Sequence, residues 1–349
     1  VQAKPLYQQA LTIRENALGK DHPAVAEIFN NLGMLYDAQG DYKQTRTLYE
    51  WALNIRERVF GEEHQEVAQS LDNLAGLLYA QGDYHQAKPL YQRALNIREK
   101  IFGIDHPAVA QSLNNLAELY RVQGRYQRAK TLYERALLIR KTVLGEEHPD
   151  VAQTLNHLGK LYQMQSQYAP AQSLLKQSLI LREKVLGEKH PSVAESLNDL
   201  ARLYQMRGQY AKARPLLERA LTIKENVFGQ EHPEVAMSLC NLASLCNAEG
   251  QYLQAEILFE NALMIWETVW GKNHPHIAYG LSNFAMLHEA KGEYLQAKPL
   301  YERALRIFRD IFGDDHPEVR AVSKNYADLL VKISKGKGIM AKVSRFFRK

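Results

Sequence analysis

Only two cysteines occur in 349 residues, Cys240 and Cys246. They stand on one predicted helix with no Cys-x-x-Cys pair between them. A disulfide framework is therefore excluded, and a reducing, cytoplasmic setting is expected. No apolar run approaches the ~18–20 residues that span a bilayer, which excludes a transmembrane helix. Walker loops, Gly-x-Ser-x-Gly elbows and His-Glu-x-x-His pairs are all missing. Neither a cofactor nor a metal is expected, and the chain reads as a non-enzyme.

A strong charge of one sign is lacking too. The formal net charge is +5, from 44 basic and 39 acidic residues. Seven of the basic residues, and no acidic ones, fall between Lys332 and Lys349. Removing them leaves 37 basic against 39 acidic over residues 1–331. That body is near neutral, without the continuous basic stripe that nucleic acid binding requires.

What is present is a period. Glycine followed by histidine three residues later returns at Gly19/His22, Gly61/His64, Gly103/His106, Gly145/His148, Gly187/His190, Gly229/His232, Gly271/His274 and Gly313/His316, always 42 residues on. A fixed period in the range of about 20–50 residues marks a stacked repeat, each unit touching only its neighbours. The fold class is all-α, a solenoid of antiparallel helix hairpins.

One unit shows why. His106-Pro107 opens a helix, since proline suits the first turn. Val109, Ala110, Leu113, Leu116, Ala117 and Tyr120 then give one buried face at 3–4 spacing. Gly124 stops it. A second helix from about Tyr126 to Leu144 buries Ala129, Leu132, Tyr133, Ala136 and Ile139 and ends at Gly145. Leucine holds one first-helix slot throughout (Leu35, Leu77, Leu119, Leu161, Leu203, Leu245, Leu287, Leu329), as a core position does. Eight regularly spaced histidines do not make a metal site. Neighbouring copies lie a whole repeat apart and cannot share an ion at ~2 Å. Packing or hydrogen bonding at the preceding helix end is expected instead.

These residues carry a resemblance. Leu116-Ala117, Tyr120, Gly124-Arg125-Tyr126, Ala129, Tyr133 and Ala136 match the tetratricopeptide repeat pattern. The 42-residue form, ending Ala-Leu-x-Ile-Arg-Glu-x-x-x-Gly-x-x-His-Pro, resembles the repeats of kinesin light chain and its bacterial relatives. It implies a right-handed superhelix with first helices lining a concave face. Departures are local: Thr45 for Ala, Gln65 for Pro, Ser166 for Gly, Arg320 for Ala.

The expected array covers 1–333. A partial unit spans 1–19, which reads as an excised piece of a longer protein. Full hairpins follow at about 23–61, 65–103, 107–145, 149–187, 191–229, 233–271 and 275–313, with a last first-helix at 317–333. Residues 334–349 keep second-helix register with a basic face. They are expected to cap the stack, or alternatively to meet an acidic lipid surface.

Specificity is expected where units differ on the face away from the Leu/Ala core. The candidate peptide-binding residues are Asn114, Glu118, Arg121, Asn156, Lys160, Gln163, Asn198, Arg202, Gln205, Met237, Tyr279 and Met286. Asn114, Asn156 and Asn198 share one slot and form a ladder of amides able to hold an extended backbone. The resemblance implies an acidic peptide with an apolar anchor, its carboxylates on Arg121, Lys160 or Arg202 and its anchor at Met237, Tyr279 or Met286. The leading reading is a non-catalytic scaffold binding a protein or peptide partner. Two others stay open: a sensor arm of a larger signalling protein, and a spacer that self-associates through its N-terminal end.

Overall fold

The computed structural model describes the backbone of residues 3–346 and the side chains of residues 3–335. Every regular element among them is a helix. Val1–Glu188 and Lys189–Lys349 form two compact units. The first unit holds α1 (Ala3–Leu18), α2 (Pro23–Ala38), α3 (Tyr42–Phe60), α4 (Gln65–Ala80), α5 (Tyr84–Phe102), α6 (Pro107–Val122), α7 (Tyr126–Leu144), α8 (Pro149–Met164) and α9 (Tyr168–Leu186). The second holds α10 (Pro191–Met206), α11 (Tyr210–Phe228), α12 (Pro233–Ala248), α13 (Tyr252–Trp270), α14 (Pro275–Ala290), α15 (Tyr294–Phe312) and α16 (Pro317–Phe346). Within each unit, first and second helices pair as hairpins, and each second helix packs on the next first helix.

The histidines explain how each first helix starts. At all eight positions Nδ1 accepts from the backbone N–H two residues on, at 3.1–3.2 Å. That satisfies one of the donors a helix start leaves open. The bond goes forward, into the helix that follows. Only the packing goes back, as expected from the sequence: His64, His106, His232, His274 and His316 stack on the last residue of the preceding helix at centroid distances of 3.8–4.6 Å. One ring therefore joins two helices. The glycine before it takes a φ of +75° to +90° at Gly19, Gly61, Gly103, Gly145, Gly187, Gly229, Gly271 and Gly313, a region other residues avoid.

Seven of the eight slot leucines are buried, from Leu77 to Leu329. Leu35 keeps partial exposure, in the hairpin beside α1. Small residues set the hairpin spacing. A Cβ added at Gly33 would lie 2.4 Å from Tyr49 Cε1, and one at Gly159 would lie 2.7 Å from Leu175 Cγ. Pro89, Pro215 and Pro299 sit inside α5, α11 and α15 without ending them.

At the C-terminus the structure differs from the expectation. α16 is one helix from Pro317 to Phe346, so no turn separates a first helix ending at 333 from a capping helix starting at 334. The side chains that would form the basic face of 336–349 lie outside the described residues.

Candidate peptide-binding face

The inner contacts of unit one are organised by arginines on second helices. Arg56, Arg98 and Arg140 hold one slot, and all are buried. Arg56 reaches Ser70 Oγ at 2.8 Å and the Glu66 carboxylate at 2.8 Å. Arg98 reaches Asp72 and Ser112. Arg140, with no exposed surface, donates to Thr154 Oγ1 and the Asp150 carbonyl at 2.8 Å and to Gln111 Oε1 at 2.7 Å. Each guanidinium ties its second helix to the next first helix, where a hydroxyl residue waits. A buried cation is tolerable only with several acceptors around it, although the Arg140 Nε has none. In unit two the slot holds Lys224, bonded to Glu234 at 2.7 Å, and then Trp266, whose indole N–H reaches the Pro233 carbonyl at 3.1 Å.

This framework decides which candidate residues remain open. Asn114 is buried, and its amide donates to Thr154 Oγ1 at 3.1 Å. Asn156 and Gln163 are buried as well. The amide ladder expected to face a groove is thus, at these two asparagines, part of the packing between helices. Glu118 and Arg121 pair with each other one turn apart. The Glu118 carboxylate also accepts from Tyr133 at 2.6 Å and Tyr79 at 3.2 Å, and Arg121 approaches Met164. Arg121 is therefore committed to an internal carboxylate, not held out for a partner's. Burial pushes the Glu118 carboxyl upward, but the hydrogen bonds and charge of Arg121, with His157 and Tyr133, outweigh it and hold the group at about 2. His157 is pushed down to about 4, chiefly by burial. Lys160 is half-buried beside this network.

In unit two the candidates converge. Asn198, Arg202 and Gln205 line one cavity of about 280 Å³ with Asp199, Asn241 and Ser244, between α10 and α12. Arg202 is exposed and makes no ion pair among the described residues. The Asn198 side-chain oxygen, like that of Asn114, is shielded from solvent with no hydrogen-bond partner among the described residues. Farther on, Met286 is 46% exposed. Met237 is half-buried. Tyr279 meets Phe308 edge-on at 4.9 Å. Among the described residues no group of three or more His, Cys, Asp or Glu could hold a metal ion. No described helix is long and apolar enough to cross a membrane.

Overlapping matches to the tetratricopeptide repeat run from residues 1–58 and 39–100 through to 234–310 and 276–335. The chain belongs to the tetratricopeptide repeat family. Among solved tetratricopeptide structures it is similar to BtubC (BKLC) from P. vanneervenii, at 25% identity and a TM-score of 0.53, covering 66% of this chain and 92% of that one. It is also similar to a Podosopora anserina putative kinesin light chain with nearly identical TPR-like repeats, at 32% identity and a TM-score of 0.48, covering 59% and 98%. A Rap protein complexed with Competence and Sporulation Factor shares the fold, at 18% identity and a TM-score of 0.64, covering 88% and 81%. No curated protein matches the chain.

The sequence reading missed the arginine ladder and the tyrosines that close over Glu118. A signal for the first was available: Arg14, Arg56, Arg98, Arg140 and Arg182 return at the 42-residue step, beside a buried apolar residue. A charge repeated in one slot over five successive units of a tetratricopeptide array serves the stack. For Tyr79 and Tyr133 no such signal existed, because their role depends on Glu118, which occurs in one repeat only.

Proposed function

We propose that this tetratricopeptide chain is a non-catalytic scaffold that binds an extended peptide along the first helices of unit two, centred on the α10–α12 cavity. One observation carries the reading: Asn198, Arg202 and Gln205 line a single cavity in which Arg202 is exposed and has no ion-pair partner among the described residues. An exposed guanidinium with no internal acceptor suits a carboxylate of the ligand, which it can hold with two parallel hydrogen bonds. Amides beside it suit a peptide backbone. Met237, Tyr279 and Met286 supply an adaptable apolar wall for an anchor residue. In unit one Arg121 is neutralised by Glu118, so the reading places recognition of acidic peptides in unit two.

The test is a peptide array probed with the full chain and with Arg202→Glu. Selected peptides should be rich in Asp or Glu, and Arg202→Glu should weaken their binding at least tenfold with the thermal midpoint unchanged. Undiminished binding by the reversed variant would refute the assignment.

A further inference from the structure

On the opposite side of the hairpins, consecutive second helices are bridged by a second arginine. Arg93 on α5 pairs with Glu57 on α3 at 2.6 Å. Arg135 on α7 pairs with Glu99 on α5 at 2.8 Å, and Arg303 on α15 with Glu267 on α13 at 2.6 Å. Each also reaches the loop after the preceding helix: Glu62, the Ile104 carbonyl and the Lys272 carbonyl, at 3.4, 3.1 and 3.3 Å. Forty-two residues before Arg93 the slot is filled by Trp51, and 42 before Glu57 stands Glu15. The bridge between α1 and α3 is therefore missing its cation. Among the described residues Glu15 makes no ion pair.

Trp51 is 53% exposed and lies 5.3 Å from the Phe29 ring. Glu15, Phe29, Trp51 and Ile55 line a cavity of about 460 Å³, together with Lys20 and Arg58. The outer bridge of the same groove persists, Arg58 to Asp21 at 2.7 Å, like Lys100 to Glu63 in the next repeat. Glu50, also on the wall, is held by Arg46 at 2.8 Å. The slot holds arginine at Arg93, Arg135, Arg219 and Arg303, and an amide at Gln177 and Asn261. What distinguishes this groove is an indole beside a carboxylate that has no ion pair among the described residues.

We propose that the α1–α3 groove is a binding site for an arginine side chain of a partner peptide. The guanidinium stacks on the Trp51 face and forks onto Glu15, occupying the place that Arg93, Arg135 and Arg303 fill from within the chain. A cation over an indole is attracted by the ring quadrupole, and a planar guanidinium matches both ring and carboxylate. Lys20 is the opposing charge on the wall and sets a limit on affinity. This site is independent of the Arg202 cavity and takes a ligand of opposite charge.

The experiment is a titration of the full, ¹⁵N-labelled chain, following the Trp51 indole N–H resonance, identified by its loss in Trp51→Phe. The probes are acetyl-Gly-Arg-Gly-amide, the same peptide with neutral citrulline for arginine, and acetyl-Gly-Glu-Gly-amide. The arginine peptide should shift the Trp51 resonance saturably, and the citrulline peptide should bind at least tenfold more weakly. Glu15→Gln should cost about tenfold, and Lys20→Gln should tighten binding. Trp51→Arg should rebuild the internal bridge and raise the thermal midpoint. No shift with the arginine peptide, equal binding of the citrulline or glutamate peptide, undiminished binding by Glu15→Gln, or no rise with Trp51→Arg would each overturn the proposal.

Discussion

Replacing Glu118 by glutamine tests the account of unit one most directly. The substitution keeps the shape of the side chain and removes its charge, leaving Arg121 without its partner. With its side chain 26% exposed, Glu118 receives hydrogen bonds from Arg121, Tyr133 and Tyr79. Its carboxyl is held at about 2 against an ordinary value of 4.5. At about 1.36 kcal/mol per pH unit, that difference corresponds to roughly 3 kcal/mol of stability. Partial solvent contact reduces it, so about 2–3 kcal/mol is expected in urea denaturation at pH 7. The sign is fixed by the direction of the shift. A carboxylate depressed in the folded state stabilises above its unfolded value and loses that contribution as pH falls through about 4.5 toward 2. The gap between wild type and Glu118→Gln should thus be full at pH 7 and largely closed at pH 2, where the wild-type carboxyl is about half protonated. His157 acts in the same direction in both proteins. Its folded value of about 4 lies below the ordinary 6.5, so neutral His157 stabilises above pH 6.5 and the contribution is lost as pH falls through 4. A gap below about 0.5 kcal/mol at pH 7, or one that persists unchanged at pH 2, would refute the internal ion-pair reading.

Two further stability changes follow from the repeat joints. His106→Ala should destabilise by about 1–2 kcal/mol, through the lost cap on the Ala108 N–H and the lost stack on Phe102. His106→Asn, which can still cap, should recover about half, and urea midpoints of the two variants provide the comparison. Ser166 has a φ of +59° in the slot where Gly40, Gly82, Gly124, Gly208, Gly250 and Gly292 stand elsewhere. Ser166→Gly should relieve about 1–2 kcal/mol of backbone strain, offset by glycine's larger unfolded-state entropy, for a net gain of about 0.5–1 kcal/mol. A lower urea midpoint for that variant would count against the strain.

Much of the molecule was legible before any coordinates. The 42-residue period, the Gly-x-x-His-Pro joint and the leucine slot gave the helix order and nearly every boundary. Each of these is a local relation, a cap or an i to i+4 face, repeated eight times. The candidate face was legible only in part. Asn198, Arg202 and Gln205, singled out by position on the helix, line one cavity. The same position gave no warning that the Asn114 amide N–H donates to Thr154, or that Arg121 pairs with Glu118. Those outcomes depend on Tyr79, Tyr133 and Thr154, which come from other helices 15 to 40 residues away.

The sequence by itself determined the architecture, because hairpin formation and stacking reuse one short-range pattern whose eight copies check one another. Tertiary structure alone decided which charges are spent inside and which are left open. Arg140 and Arg202 are both arginines on a helix, and only their surroundings separate a buried staple from an exposed guanidinium. Trp51 makes the same point in reverse. In sequence it is the one aromatic in a slot otherwise filled by arginine, glutamine or asparagine, and the fold places it in a groove beside Glu15. Ion pairing is settled by distances of a few ångströms between separate helices, which no single repeat encodes.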